Sequence, residues 1–156
     1  MIKTKRLYLY PCTKQVIEKI RRLNAYPLGD HIDHYVNQAA LDPSTIGWGP
    51  WFAVRKKDKR IIGDMGFFQK PSPDGTVEMG CNIISQAQEK GYATEASRRL
   101  IQWAFATKET RRVIAVCYDH NIPSIKVLEK LGMKKYLTQN RMIYWEITKE
   151  ADGAKS

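Results

Sequence analysis

The sequence predicts a mixed α/β domain, a central and mostly antiparallel sheet of about seven strands flanked by about four helices. Three observations predict it. A chain of 156 residues suits a single domain. Its 43% hydrophobic and 10% aromatic content can fill a core, which excludes disorder. Its apolar spacing switches between helical and strand patterns in the order β-α-α-β-β-β-α-β-α-β-β. The domain is expected over residues 1–147, with 148–156 as a C-terminal tail.

Leu7-Tyr8-Leu9-Tyr10 reads as a first strand ended by Pro11. Thr13 can cap a helix whose Val16, Ile17, Ile20 and Leu23 lie on one face. Tyr26-Pro27-Leu28-Gly29 breaks it, and Asp30 can cap a second helix that stops before Pro43. Trp48 and Trp51 are expected to pack the first meander strand, with the lining of a ligand pocket as the other option. Trp51–Val54 and Arg60–Phe68 read as strands around a charged turn at 55–60. Pro71-Ser72-Pro73-Asp74-Gly75 is a turn leading into a strand over Thr76–Ile84. A helix over about Tyr92–Thr107 carries Ala93, Ala96, Leu100 and Ala104 at helical spacing. Val113–Cys117 is a nearly continuous apolar run, hence a buried strand. Asn121 can cap a last helix with Pro123 in its first turn and Gly132 just past its end. A hairpin ending in Arg141–Ile147 closes the sheet.

The net charge is +10, which suits polyanionic partners, but the basic residues are dispersed over element ends and polar faces. No apolar run is long enough to span a membrane, and no apolar stretch follows the basic start as a signal peptide requires. Cys12, Cys81 and Cys117 are odd in number and outside any metal or disulfide spacing. A cytoplasmic protein with reduced thiols is expected. His31 and His34, three apart beside Asp30 and Asp33, lack the further ligands that a metal site needs, so no metal is expected.

The chemistry is concentrated in Gln88-Glu89-Lys90-Gly91-Tyr92-Ala93-Thr94-Glu95-Ala96, between a strand and a helix. A helix start offers free N–H groups and the positive end of its dipole, and small residues at 91 and 93 let an anion approach the backbone. Here the chain resembles the GNAT N-acetyltransferase superfamily, and within it the RimJ/RimL-like branch. Gln88-Glu89-Lys90-Gly91-Tyr92-Ala93 matches the family's acetyl-CoA loop. Asn121-Ile122-Pro123-Ser124 followed by Glu129-Lys130-Leu131-Gly132-Met133 matches its last-helix motif, with Met where Phe is commoner. The resemblance is specific over about residues 50–147, and the first 45 residues match in layout alone.

The resemblance implies the GNAT fold, acetyl-CoA as cosubstrate and an amine acceptor, either a protein N-terminus or a small molecule. It implies that backbone groups of Asn82, Ile83 and Ile84 pair with the pantetheine arm, one N–H polarising the thioester carbonyl. The backbone of Glu89, Lys90, Gly91, Tyr92, Ala93, Thr94 and Glu95 would cradle the pyrophosphate, and Asn121 and Ser124 would face the pantetheine and sulfur. Lys90, Arg98 or Lys126 could reach the phosphates as point charges.

Attack on a thioester requires a neutral amine, and Glu78 is the candidate general base, provided that it faces the acceptor. Leu128 occupies the position where many family members carry an acidic tyrosine, leaving Ser124 or Tyr118 as candidate donors to the sulfur. Two other readings compete: a non-catalytic acetyl-CoA sensor, which the absence of a tyrosine at Leu128 keeps open, and a basic nucleic-acid-binding module, which the dispersed charge disfavours. The protein is expected to be a monomer or homodimer with no membrane partner.

Overall fold

Among the described residues eight strands form one sheet, and their pairing sets where everything else sits. The computed structural model describes residues 1–83 and 87–150. The strands are β1 (Ile2–Lys3), β2 (Leu7–Pro11), β3 (Pro50–Arg55), β4 (Ile61–Phe67), β5 (Thr76–Ile83), β6 (Arg112–Tyr118), β7 (Lys134–Gln139) and β8 (Met142–Thr148). Their order across the sheet is β1-β2-β3-β4-β5-β6-β8-β7, with every pair antiparallel except β5 and β6. β1 was not expected: it has two residues, which pair with Tyr8 and Leu9.

Among the described residues four α-helices cover the sheet: α1 (Lys14–Leu23), α2 (Asp30–Leu41), α3 (Tyr92–Ala106) and α4 (Ile122–Lys130). Thr13 caps α1 by accepting the Val16 N–H at 3.2 Å, and Asn24 ends it in the left-handed conformation. α2 is capped by Gly29 rather than Asp30, which is the first helical residue and places a carboxylate where the dipole favours it. Asn121 caps α4, its Oδ1 accepting the Ser124 N–H at 3.3 Å, and Pro123 fills the first turn. The charged segment 55–60 is a hairpin turn closed by Arg55 on Asp58, with Nη2 to Oδ2 at 2.6 Å.

The two sheet faces bury different clusters. On one, α3 and α4 pack Ala96, Leu100, Ile101 and Leu128 against Leu7, Leu9, Trp51, Val77, Met79, Val113 and Trp145. Trp103 stacks among Trp48, Trp51 and Phe67, so the tryptophans pack the core. On the other, Ile17 and Ile20 of α1, Ile32 and Tyr35 of α2, and Tyr26 from the connection between them cover Phe52. Each such fully buried side chain contributes roughly 1.5–3 kcal/mol. The same cluster takes in Ile61 at the start of β4.

Candidate active site

β5 pairs with β4 as far as Ile83, opposite Gly63. With β6 it pairs only through Thr76, Val77 and Glu78, opposite Arg112, Val113 and Ile114. β6 itself runs on to Tyr118, held by β8 along its whole length. The two parallel neighbours therefore part after Glu78, and among the described residues the facing edges of 79–83 and 115–118 are unpaired. Open strand edges present N–H and C=O groups that an extended amide-bearing ligand can take up like an added strand. Asn82 and Ile83 lie on this edge; Ile84 lies outside the described residues.

The chain then enters the loop before α3. Glu89 and Gly91 both have positive φ, 64° and 81°, a backbone pattern that turns successive N–H groups inward. The N–H groups of Tyr92, Ala93 and Thr94, at the start of α3, have no partner among the described residues. Glu95 differs from the expectation that its amide joins them. That N–H donates to the Gly91 carbonyl at 3.0 Å and is already spent on the helix. Its side chain acts instead, accepting from Thr4 Oγ1 at 2.5 Å, the Arg6 amide at 2.8 Å and Arg6 Nε at 2.6 Å. Partial burial pushes the Glu95 carboxyl up, but the hydrogen bonds from Thr4 and Arg6 outweigh it and hold the pKa below the usual range. Arg6 also donates to the Lys90 carbonyl at 3.0 Å and lies over the Tyr92 ring at 4.2 Å, bracing the loop on two sides.

Beside the loop is an open groove of about 430 Å³ lined by Thr4, Gly91, Thr94, Arg98, Arg99 and Lys130 among others. Arg98 donates to the Lys130 carbonyl at 2.9 Å, joining α3 to the end of α4. Lys90 and Lys126 are exposed. The groove and the free amides together offer an anion both dipoles and point charges.

Glu78 emerges on the opposite face. Val77 and Met79 are buried under α3, so alternation turns Glu78, Gly80 and Asn82 away from it. Glu78 is half-buried and has no ion pair among the described residues, and burial raises its pKa. Gly80 pairs with Gly66 across the strands, and the exposed ring of Phe68 lies against Gly80, 3.0 Å from where a Cβ would stand. Next along the same face, Asp64 pairs with Asn82. Its Oδ1 accepts the Tyr26 hydroxyl at 2.7 Å and Asn82 Nδ2 at 3.5 Å, and its Oδ2 lies 3.4 Å from His31 Nε2. Burial, then the bond to Asp64, pushes the Tyr26 hydroxyl well above its ordinary range. Sequence reasoning did not single out Asp64, Tyr26 or Phe68. With Asn82 they come from three separate stretches of the chain, and no spacing announces them.

The remaining candidates are dispersed. Tyr118 ends β6, four residues beyond Ile114 and so roughly 13 Å along the strand from the level of Glu78. It is exposed and stacked on His120 at 5.4 Å. Ser124 sits half-buried in the first turn of α4, and the Asn121 side chain is engaged as that helix's cap. Leu128 is packed in the core. His34 contacts Gln38 and Asp33 pairs with Arg21, so neither joins His31 at Asp64. Cys81 is exposed along the parted edge. Even so, desolvation of its sulfur and the nearby Asp64 charge outweigh a hydrogen bond with Ser97 and push the thiol to about 12.

Comparisons with known proteins bear on the family and the fold. Residues 12–134 match the profile of a family described as Acetyltransferase (GNAT) domain. The Bacillus subtilis protein named uncharacterized N-acetyltransferase YjdG is 38% identical over 88 residues, which are 56% of this chain and 52% of that protein. A second Bacillus subtilis protein, uncharacterized N-acetyltransferase YnaD, is 36% identical over 82 residues, 53% of this chain and 48% of its own. The matched segment thus spans about half the length of these curated relatives. Among solved structures, a GNAT-family acetyltransferase from Bacillus anthracis aligns over 96% of this chain and 98% of its own, with a TM-score of 0.70 and 21% identity. Spermidine N-acetyltransferase from Vibrio cholerae, in complex with CoA and spermine, aligns over 94% and 98% with a TM-score of 0.73 and 15% identity. A ribosomal-protein-S5-alanine acetyltransferase from Vibrio fischeri aligns over 96% of both chains with a TM-score of 0.71 and 18% identity. At these identities the structural likeness speaks for the fold.

Proposed function

The chain belongs to the GNAT acetyltransferase family, and on that premise we propose that it moves an acetyl group from acetyl-CoA to a primary amine by direct attack in a ternary complex. The observation that carries this reading is the parting of β5 from β6 just ahead of the Gly91 loop. An open strand edge for an amide-bearing arm leads there into a set of free amides for a pyrophosphate.

In this reading the edge of Asn82 and Ile83 holds the pantetheine, and one of their N–H groups polarises the thioester carbonyl. The amides of Tyr92, Ala93 and Thr94, with the loop at Glu89, Lys90 and Gly91, take the pyrophosphate. Glu78 removes a proton from the acceptor ammonium, directly or through a water. The freed nitrogen lone pair attacks the carbonyl carbon, the C–S bond breaks, and the sulfur leaves as a thiolate that collects a proton. A thiol titrates near pH 8.5, so its departure does not require a strong acid. A buried Leu128 in place of the usual tyrosine is therefore compatible with turnover, and Ser124 or Tyr118 serves as the hydrogen-bond donor.

Two structural neighbours act on, or bind, small polyamines and a ribosomal protein, and both classes of amine belong among the acceptors to be screened. The test is initial-rate kinetics of CoA release with acetyl-CoA and a primary amine varied together. Intersecting double-reciprocal lines are expected for direct transfer. Parallel lines would contradict it, and binding of acetyl-CoA without turnover of any amine would leave the sensor reading in its place.

A further inference from the structure

Asp64 is the one buried carboxylate among the described residues, and its charge has no strong counterpart. Three other aspartates, all more exposed, are paired with a Lys or Arg: Asp33 with Arg21, Asp42 with Lys70 and Asp58 with Arg55. Asp64 has none among the described residues, in a chain with 26 Lys and Arg. Its Oδ1 is occupied by Tyr26 and, at longer range, Asn82. Its Oδ2 has only the 3.4 Å contact with His31, whose side chain is 60% exposed. A carboxylate can accept about four hydrogen bonds, and a buried one left without a cation is costly.

The place of this carboxylate matters more than its isolation. It stands directly across β4 and β5 from Asn82, on the face that Glu78 also occupies. Glu78 and Asn82 are four residues apart, roughly 13 Å along the strand. Between them lie Gly80 and its partner Gly66, with the exposed Phe68 ring against Gly80. The face thus has a carboxylate at each end and, in the middle, bare backbone beside an apolar ring.

We infer that Asp64 reads a second positive charge on the acceptor, so that the chain acetylates amines carrying a further cationic group rather than simple monoamines. The inference rests on the proposed acetyl transfer and deepens it. Asp64 suits the second charge better than the reacting one. A carboxylate held against the reacting ammonium would stabilise its protonated form and oppose attack, whereas Glu78, unpaired and half-buried, is free to accept that proton. The carbon chain between the two nitrogens runs past Phe68. The exposed His31 imidazole yields Oδ2 to the incoming ammonium.

The test compares 1,8-diaminooctane, long enough when extended to span most of the distance between the two carboxylates, with n-octylamine, which has the same carbon chain and one charge fewer. The wild-type protein should show a kcat/KM about tenfold or more higher for the diamine, the usual scale for a charge-assisted hydrogen bond. Asp64→Asn should remove that preference through KM for the diamine and leave n-octylamine unchanged. His31→Ala should leave the diamine KM equal or lower, since it removes a competitor for Oδ2. Equal kcat/KM for both amines in the wild type overturns the role of Asp64 and leaves acetyl transfer standing, even if Asp64→Asn does not fold. A parallel loss for both amines in a folded Asp64→Asn protein also overturns it. Turnover of neither amine overturns this inference together with the reading beneath it.

Discussion

Arg6 and Glu95 are joined twice: the Arg6 amide donates to Oε2 at 2.8 Å and its Nε to Oε1 at 2.6 Å. The pair ties the segment ahead of β2 to the first turn of α3, 89 residues away. Arg6 also reaches the Lys90 carbonyl, so the loop before α3 is braced by a residue ahead of β2. Glu95→Ala should weaken acetyl-CoA binding several-fold. Arg6 is 40% exposed, so the stability cost should be no more than about 1 kcal/mol. Calorimetric titration and a denaturation curve check both. Unchanged affinity would show that the loop holds its shape without this tie.

Gly91 has φ of 81° at the cap of α3, a conformation that costs an L-residue about 1–2 kcal/mol. A Cβ there would also stand 3.3 Å from Arg6 Nη2. Gly91→Ala should lose about that much stability. Gly91→Glu should in addition abolish acetyl-CoA binding, since it adds bulk and negative charge where the pyrophosphate is expected. Retained binding by a folded Gly91→Glu protein would place the pyrophosphate elsewhere.

Burial raises the pKa of Glu78 in the folded protein above its unfolded value. The folded chain therefore binds more protons than the unfolded one between those two values, and this contribution to stability is lost as pH rises through the folded pKa. At neutral pH Glu78→Gln should thus be slightly more stable than wild type, while kcat falls by about 10²–10⁴-fold, the usual worth of a general base. The wild-type rate should drop as pH is lowered through the raised pKa, and this acid limb should be absent in Glu78→Gln. A variant with the same pH profile and near-normal kcat would remove Glu78 from the chemistry.

Burial, followed by the nearby Asp64 charge, pushes the Cys12 thiol to about 12, and the Cys81 thiol is raised to about the same value. At pH 8 only about one such thiol in 10⁴ is ionised, so neither is an attacking group. Alkylation by iodoacetamide in the native protein should be slow at both, and Cys81→Ala should keep kcat within about threefold. An acetylated cysteine, seen by mass spectrometry after incubation with acetyl-CoA alone, would contradict direct transfer.

The sequence makes local signals legible and leaves long-range ones hidden. The caps at Thr13 and Asn121 and the glycine before α3 are local, and the structure has them where the residues indicate. β1 escaped because two residues carry no period. Gly29 displaced Asp30 as the cap of α2, since either residue type can start a helix and only the backbone decides. The face of Glu78 could not be read from alternation alone until Met79 was seen to be buried. Glu95 looked like one amide among several, but its side chain serves a partner at the far end of the chain. Asp64 gave no signal at all. Its partners Tyr26, His31 and Asn82 lie on a loop, a helix and a strand that only the folded sheet brings together.

The central claim, that the parted strands and the Gly91 loop receive acetyl-CoA, is tested most directly by thermal unfolding with acetyl-CoA, CoA and ATP at matched concentration. A ligand that binds only the folded state adds about 2.7 kcal/mol at one hundred times its Kd. Acetyl-CoA and CoA should both raise Tm clearly, with ATP giving a weak shift and Gly91→Glu giving none. No shift at saturating acetyl-CoA would contradict the claim.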